Sequence, residues 1–212
     1  MMKNKIFITV ILSFTSGIFF SQNLSFKDKN LEKAVIENFD MNKDNAISKF
    51  EAEGITNLFL VNKGITLTDD LPFFRNATTI LLDDNAIPNA SIKSLNKLEL
   101  FSCTGCKISK FEADNLPKLM SLYLDNNNIE NISFRLAPRI NQLTISLNKL
   151  KTIDLSSLKY LKKLNLEHNQ LQKLDISLNK ELQTLNLAGN KMKEADVRKG
   201  MKTDVTIFGF EE

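Results

Sequence analysis

The chain has 212 residues, with 28 Lys plus Arg against 25 Asp plus Glu and a single His, for a formal net charge of +3. That length suits one elongated domain, and no cluster of Lys and Arg interleaved with stacking aromatics marks a nucleic-acid surface. Seven glycines and four prolines, scattered along the chain, leave no linker and no low-complexity tract, and two cysteines are too few for a four-cysteine zinc centre. Met1 to Ser21 opens with Lys3 and Lys5 and carries no charge from Ile6 to Phe20. A charged start followed by a short apolar run reads as a secretory signal peptide, cleaved between Ser21 and Gln22. A run of about 15 apolar-biased residues is short for a membrane span. Cleavage would leave 191 residues with 26 basic and 25 acidic side chains, a net charge of +1, so the basic balance is mostly targeting signal. The expected location is secreted or periplasmic, with no membrane span after cleavage.

Residues 22–54 come next. Leu31, Ala34, Val35 and Phe39 recur at helical spacing and predict an amphipathic helix. The run from Asp40 to Glu51 follows, and it resembles an EF-hand calcium loop. Asp40, Asn42 and Asp44 fall at loop positions 1, 3 and 5; Ala46 offers its carbonyl, Ser48 its hydroxyl, and Glu51 two oxygens to close the shell. The resemblance implies one weak structural Ca²⁺ site, because calcium takes six to eight hard oxygens on a flexible loop. Asn45 stands where the family has glycine, and Asn tolerates the left-handed backbone better than other non-glycine residues. A helix-capping acidic turn is the plainer alternative.

From residue 55 a frame L-x-x-L-x-L-x-x-N/C-x-L recurs. Asn85, Cys106, Asn127, Asn148, Asn169 and Asn190 are spaced 21 residues apart. Clear copies are Leu119, Leu122, Leu124, Asn127, Ile129 and Leu161, Leu164, Leu166, Asn169, Leu171; Ile55, Leu58, Leu60, Lys63, Ile65 is a weaker first copy. Frame positions 4 and 6 alternate with polar residues, so each L-x-L is a short strand with one buried face. A fixed period means one small unit stacked on itself.

The frame resembles the leucine-rich repeat family over about residues 55–192. The resemblance implies an α/β solenoid: a horseshoe of about seven 21-residue repeats with a parallel concave β-sheet. It also implies that Asn85, Cys106, Asn127, Asn148, Asn169 and Asn190 form a buried structural ladder bonded to the backbone of adjacent turns. About ten residues remain for each return path, too few for a long helix, and Pro88, Pro117 and Pro138 interrupt it. Short extended pieces and single 3₁₀ turns are therefore expected on the convex side. A helix, a calcium-like loop, a short helix and then repeats is similar to the arrangement of secreted bacterial leucine-rich repeat proteins, which implies that residues 22–54 cover the open end of the solenoid. Residues 193–212 form the other cap: Lys193 to Lys199 reads as a short helix stopped by Gly200, Val205 and Ile207 as a last strand, and Phe208 and Phe210 as core closure.

Cys103 and Cys106 occupy inward frame positions 6 and 9. Two buried thiols is the plainer reading, a local disulfide is open to an exported chain, and a redox motif would want a strand-to-helix start. His168 falls at the strand rim without the nucleophile and acid that a triad requires. The surface that carries information is the concave face, where frame positions 3, 5 and 7 point outward. There Phe59, Leu81, Leu100 and Tyr123, with Val61, lie beside Asp83 and Asp125, an apolar cluster with a polar border. Phe59 and Val61 could instead pack under the N-terminal cap. The reading is a non-enzymatic recognition protein that binds an extracellular protein partner through this face. The alternative is carbohydrate binding or adhesion on the same face, with a glycan stacked on Tyr123 and bonded to Asp125 and Asn126.

Overall fold

The structure, a computed structural model, describes residues 22–201 and 204–210. The leader expected over residues 1–21 lies outside them. Each L-x-L becomes one three-residue strand. β1 (Asn57–Phe59), β2 (Thr79–Leu81), β4 (Leu100–Ser102), β6 (Ser121–Tyr123), β8 (Gln142–Thr144), β9 (Lys163–Asn165), β11 (Thr184–Asn186) and β13 (Thr206–Phe208) form one parallel sheet in that order. Its register places Leu58, Ile80, Phe101, Leu122, Leu143, Leu164 and Leu185 opposite one another, and all seven are buried. Each such side chain contributes roughly 1.5–3 kcal/mol of burial, which no isolated three-residue strand could retain. The result is a parallel-sheet β-solenoid of about seven turns, as the 21-residue frame predicts.

The convex side is more regular than expected. β3 (Asn89–Lys93), β5 (Lys110–Asp114) and β7 (Asn131–Arg135) form a second, three-stranded parallel sheet in place of isolated extended pieces. Their inward pairs are Ala90 with Ile92, Phe111 with Ala113 and Ile132 with Phe134, and the Arg135 guanidinium bonds the Asp114 carboxylate of the neighbouring strand. Further along, Asp154 and Asp175 accept from the N–H groups of Ser156 and Ser177, each at 2.9 Å, and these local turns end the extended run early. Only β10 (Leu174–Asp175) and β12 (Val197–Arg198) pair there. Among the described residues, 3₁₀ turns occur at Leu71–Phe73 and Glu194–Asp196.

The asparagines do what the resemblance implies. Asn127 donates from Nδ2 to the carbonyls of Cys103 (2.8 Å) and Leu124 (2.9 Å), while its Oδ1 accepts from Ile108 N–H at 3.0 Å. Asn148 reaches Leu124 and Ser146 carbonyls and accepts from Ile129, and Asn169 and Asn190 repeat the pattern on Leu150 and Leu171. Cys106 breaks the ladder. It is joined to Cys103 in a disulfide, which replaces the reading of two free thiols. Its sulfur lies 3.1 Å from the Leu82 carbonyl but has no proton to donate, so Ile87 N–H turns to the Cys106 backbone carbonyl at 2.8 Å. Where the ladder residue is Lys63 or Cys106, the next residue, Gly64 or Lys107, is left-handed, with φ of 70° and 63°. The amide is thus also what sets the turn.

Frame position 8 is left-handed in every turn: Asn62, Asp84, Gly105, Asn126, Leu147, His168 and Gly189 have φ between 51° and 69°. Asn, Asp and Gly suit that conformation, whereas Leu147 and His168 bear a cost of about 1–2 kcal/mol each.

Both ends are closed by other means. α1 (Lys29–Phe39) buries Leu31, Ala34 and Val35 against the first turn, and α2 (Lys49–Gly54) buries Ala52. Phe26 wedges between Phe73 (5.3 Å, edge-on) and Phe74 (6.2 Å). At the far end the helix expected over residues 193–199 shrinks to one 3₁₀ turn followed by β12. Phe208 is 53% exposed, so it does not close the core; Val205, Ile207 and Phe210 pack against it partly buried.

Replacing Asn148 by Leu should orphan the Ile129 N–H, take one of two donors from the Leu124 carbonyl, and lower stability by roughly 1–3 kcal/mol. Leu147→Gly, one residue away at φ 54°, should be neutral or stabilising by up to about 1 kcal/mol. Denaturant unfolding of the two variants checks the pair; a Leu147→Gly loss equal to that of Asn148→Leu would contradict the assigned register.

Candidate functional site

The acidic loop joins α1 to α2. Asp40 accepts from Lys43 N–H (2.7 Å) and Asn45 N–H (2.9 Å), Asn42 Oδ1 from Asp44 N–H, and Asp44 Oδ1 from Ala46 N–H. Lys43 and Asn45 are left-handed, φ 60° and 63°, so Asn45 takes up the conformation its position requires. The exit is a capping box: Ser48 caps α2 from its hydroxyl, and the buried Glu51 carboxylate takes Ser48 N–H (2.8 Å), Ser48 Oγ (2.7 Å) and Met41 N–H (3.0 Å). Gln22–Leu24 adds a short antiparallel pairing to this exit, with Leu24 N–H on the Ile47 carbonyl at 2.8 Å. Among the described residues no group of three or more His, Cys, Asp or Glu side chains converges as a metal centre. The oxygen set nevertheless fits a hard cation in kind. Asp40, Asp44 and Glu51 keep unused lone pairs, Asn42 and the Ala46 carbonyl add neutral oxygens, and Glu51 would have to turn from its capping role to join them.

Two buried carboxylates that the sequence analysis did not single out tie the cap to the solenoid. Asp28 caps α1 through Oδ1, accepting Asn30 and Leu31 N–H at 2.9 and 3.0 Å. Its Oδ2 takes Thr66 N–H (2.6 Å), Thr66 Oγ1 (2.9 Å) and Leu67 N–H (2.9 Å) from the first turn. Asp70 Oδ2 answers with the N–H groups of Lys27 and Asp28 at 2.8 and 2.9 Å. An Asp just ahead of a helical pattern is a legible N-cap signal; its far partners 38 and 39 residues on leave none. Burial pushes the Asp28 carboxyl up, but the hydrogen bonds from Leu31, Thr66 and Leu67 outweigh it and hold it below the ordinary aspartate value. Glu51 is likewise pushed up by burial and brought net below the ordinary glutamate value by Ser48, Met41 and Asn42.

The concave sheet sorts the remaining candidates. Cross-strand neighbours run Phe59, Leu81, Ser102, Tyr123, Thr144, Asn165, Asn186, Phe208 across the face. Phe59 and Val61 are 60% and 41% exposed, so they stand outside the N-terminal cap, not beneath it. Leu81, Leu100 and Tyr123 are half-buried beside them. Asp83 and Asp125 have intramolecular partners. Asp83 accepts from Ser102 Oγ and Thr104 N–H, and Asp125 from Thr144 Oγ1, Ser146 N–H and Ser146 Oγ. Glu167 accepts from Asn186 Nδ2 at 3.1 Å in the same place two turns on. An acid on every second turn therefore staples the next turn's polar side chain, a 42-residue alternation readable in the position-7 column of the sequence. His168 sits at the rim, its Nε2 3.5 Å from Glu167, with its imidazole over Gly189, where a Cβ would lie 2.3 Å from Nδ1. The exposed Phe208 is a further aromatic on this face, at its C-terminal end.

No protein-family model matches the chain, and no curated protein matches it. Solved structures do. The chain is similar to internalin C2 from Listeria monocytogenes, with 22% identity, a TM-score of 0.53, and coverage of 86% of this chain and 94% of that one. It is also similar to an internalin-like protein from the same organism (18% identity, TM-score 0.47, 86% of this chain and 66% of that one) and to the leucine-rich repeat domain of LRIM1 (17%, 0.48, 76% and 59%). The fold is that of the leucine-rich repeat proteins.

Because the Asp28 and Glu51 carboxyls are lowered in the folded state, the stability they contribute is present above their unfolded pKa values and is lost as pH falls through the folded ones. The melting temperature should hold from neutral pH to about 5 and then fall below about pH 4. Asp28→Asn, which cannot accept from Thr66 and Leu67 as the carboxylate does, should cost about 2 kcal/mol at neutral pH and flatten that acid decline. An undiminished acid decline in the variant would remove Asp28 from this role.

Proposed function

We propose that the chain is an exported, non-enzymatic recognition protein that binds a protein partner through the N-terminal half of its concave face. The observation that carries this reading is the exposure of Phe59 and Val61 beside Leu81, Leu100 and Tyr123 on a backbone fixed by the parallel sheet. The fold satisfies itself with hydroxyls and amides at these outward positions further along, so it does not require an apolar cluster here. Interfaces concentrate their energy in a few such anchors. The internal hydrogen bonds of Asp125 favour a protein over a glycan at Tyr123, because the carboxylate that a sugar would use is already engaged. Export is supported by the leader-like first 21 residues and by the Cys103–Cys106 disulfide, a bond that persists in oxidising compartments. In the same reading the Asp40–Glu51 loop holds one Ca²⁺, through Asp40, Asn42, Asp44, the Ala46 carbonyl, Ser48 and Glu51, and the ion stiffens the cap.

Tyr123→Ala should weaken partner binding at least tenfold at unchanged melting temperature, measured by affinity for whichever extracellular protein the chain captures. Thr184→Ala on the other half should leave it intact. Loss in the second variant alone would move the site toward Phe208.

Millimolar calcium should raise the melting temperature over that in chelator, by about 1–3 kcal/mol of added stability through mass action. Asp44→Ala should remove that increment. Identical parent curves with and without calcium would refute the ion site and leave the loop a capping turn.

A further inference from the structure

A groove of about 300 Å³ opens on the lateral edge of the solenoid, where the return path enters β6, β8 and β9. Six side chains from successive turns line it: Met120, Arg139, Asn141, Tyr160, Lys162 and Glu181. The backbone fixes their order, since Asn141 N–H bonds the Met120 carbonyl at 3.0 Å and Lys162 N–H the Asn141 carbonyl at 2.8 Å. The repeat supplies its own control. At the position of Met120 the other turns carry Thr56, Thr78, Glu99, Asn141, Lys162 and Gln183, all polar. Only here does a thioether, 41% exposed, face a tyrosine ring, 51% exposed, across an amide. Burial does not explain either side chain.

The polar members are unused. Among the described residues the Arg139 guanidinium, the Asn141 side-chain amide and the Tyr160 hydroxyl have no hydrogen-bond partner, and the Lys162 ammonium meets only Glu181, at 3.8 Å. Two cations and one carboxylate give the groove a net charge of +1, which matches a monoanion and not a polyanion. Arg139 offers a fork for a carboxylate. Asn141 can both donate and accept, and Glu181 accepts, which suits hydroxyls. The Tyr160 ring and the Met120 thioether offer a flat apolar wall for C–H groups. A carboxylate side chain of a peptide would use Arg139 and leave the Asn141 side chain, Glu181 and the Tyr160 wall without hydroxyls or a ring face to meet. A pyranose that bears one carboxylate and several hydroxyls uses every member. We propose that this groove binds an acidic sugar residue of a glycan, a site separate from the concave face and independent of the reading given to it.

The test titrates the full chain with a glucuronate-containing tetrasaccharide and with a neutral tetrasaccharide of the same length, by calorimetry. Saturable binding of the acidic sugar alone is expected. Tyr160→Ala should weaken it at least tenfold, and Arg139→Gln should abolish the preference for acid over neutral, both without a change in melting temperature. Tyr123→Ala should leave it untouched. The proposal is overturned if neither sugar binds, if the neutral sugar binds as well, if both groove variants bind like the parent, or if a polyglutamate peptide displaces the sugar at equal concentration.

Discussion

A ladder of asparagine amides, buried at Asn85, Asn127, Asn148 and Asn169 and half-buried at Asn190, holds this solenoid together. A parallel stack of three-residue strands leaves N–H and C=O groups in the following turn that no strand partner reaches, and a buried backbone group without a partner is costly. Asparagine alone among small side chains presents a donor pair and an acceptor in one plane. Asn127, Asn148, Asn169 and Asn190 therefore each bond a carbonyl of the preceding turn, one of their own, and an N–H of the preceding turn. The first turn shows how much slack the amide allows: with one residue more than the 21 of the others, Asn85 still accepts from the Ile65 N–H and donates to the Leu60 carbonyl. Where the amide is missing, at Lys63 and Cys106, the chain compensates with an extra left-handed residue, and in the second case with a covalent bridge to Cys103.

A stack has two open ends, and the N-terminal end is closed by charge as well as by apolar packing. Asp28 and Asp70 are each less than a twentieth exposed and reach reciprocally between the cap and the first turn. Five hydrogen bonds converge on Asp28 alone, which explains how a helix of 11 residues can sit in one orientation on a surface of leucines. The far end has no such device among the described residues and leaves Phe208 facing outward beside Asn186.

The stacked turns and the ladder were legible in the sequence because both rest on short, fixed spacings. α1 and the left-handed Asn45 were legible for the same reason. The convex sheet was not: its strands Asn89–Lys93, Lys110–Asp114 and Asn131–Arg135 pair only because consecutive turns bring them together, and their alternation resembles that of the turns that do not pair. The disulfide was one of several open readings, since two inward cysteines read alike as thiols or as a bridge. The link from Asp28 to Thr66 and the lateral groove depend on which turns stack side by side, and no local pattern reports that. Asp83 and Asp125 read as surface charges, yet their period against Ser102, Thr104, Thr144 and Ser146 already held the information that they staple one turn to the next.

The division of labour that emerges is simple. Inward positions and the ladder make a rigid frame, alternate acids staple neighbouring turns along the concave face, and the remaining outward side chains are free to vary for recognition. The frame therefore depends on the hydrogen bonds of the ladder. Native-state amide exchange on Ile108, Ile129, Leu150 and Leu171 tests this most directly, because their N–H groups lie outside the strands and bond only to asparagine side chains. The account predicts that these four amides exchange as slowly as the strand amides of Leu122 and Leu143. Exchange as fast as that of the exposed turn residue Lys107 would contradict it.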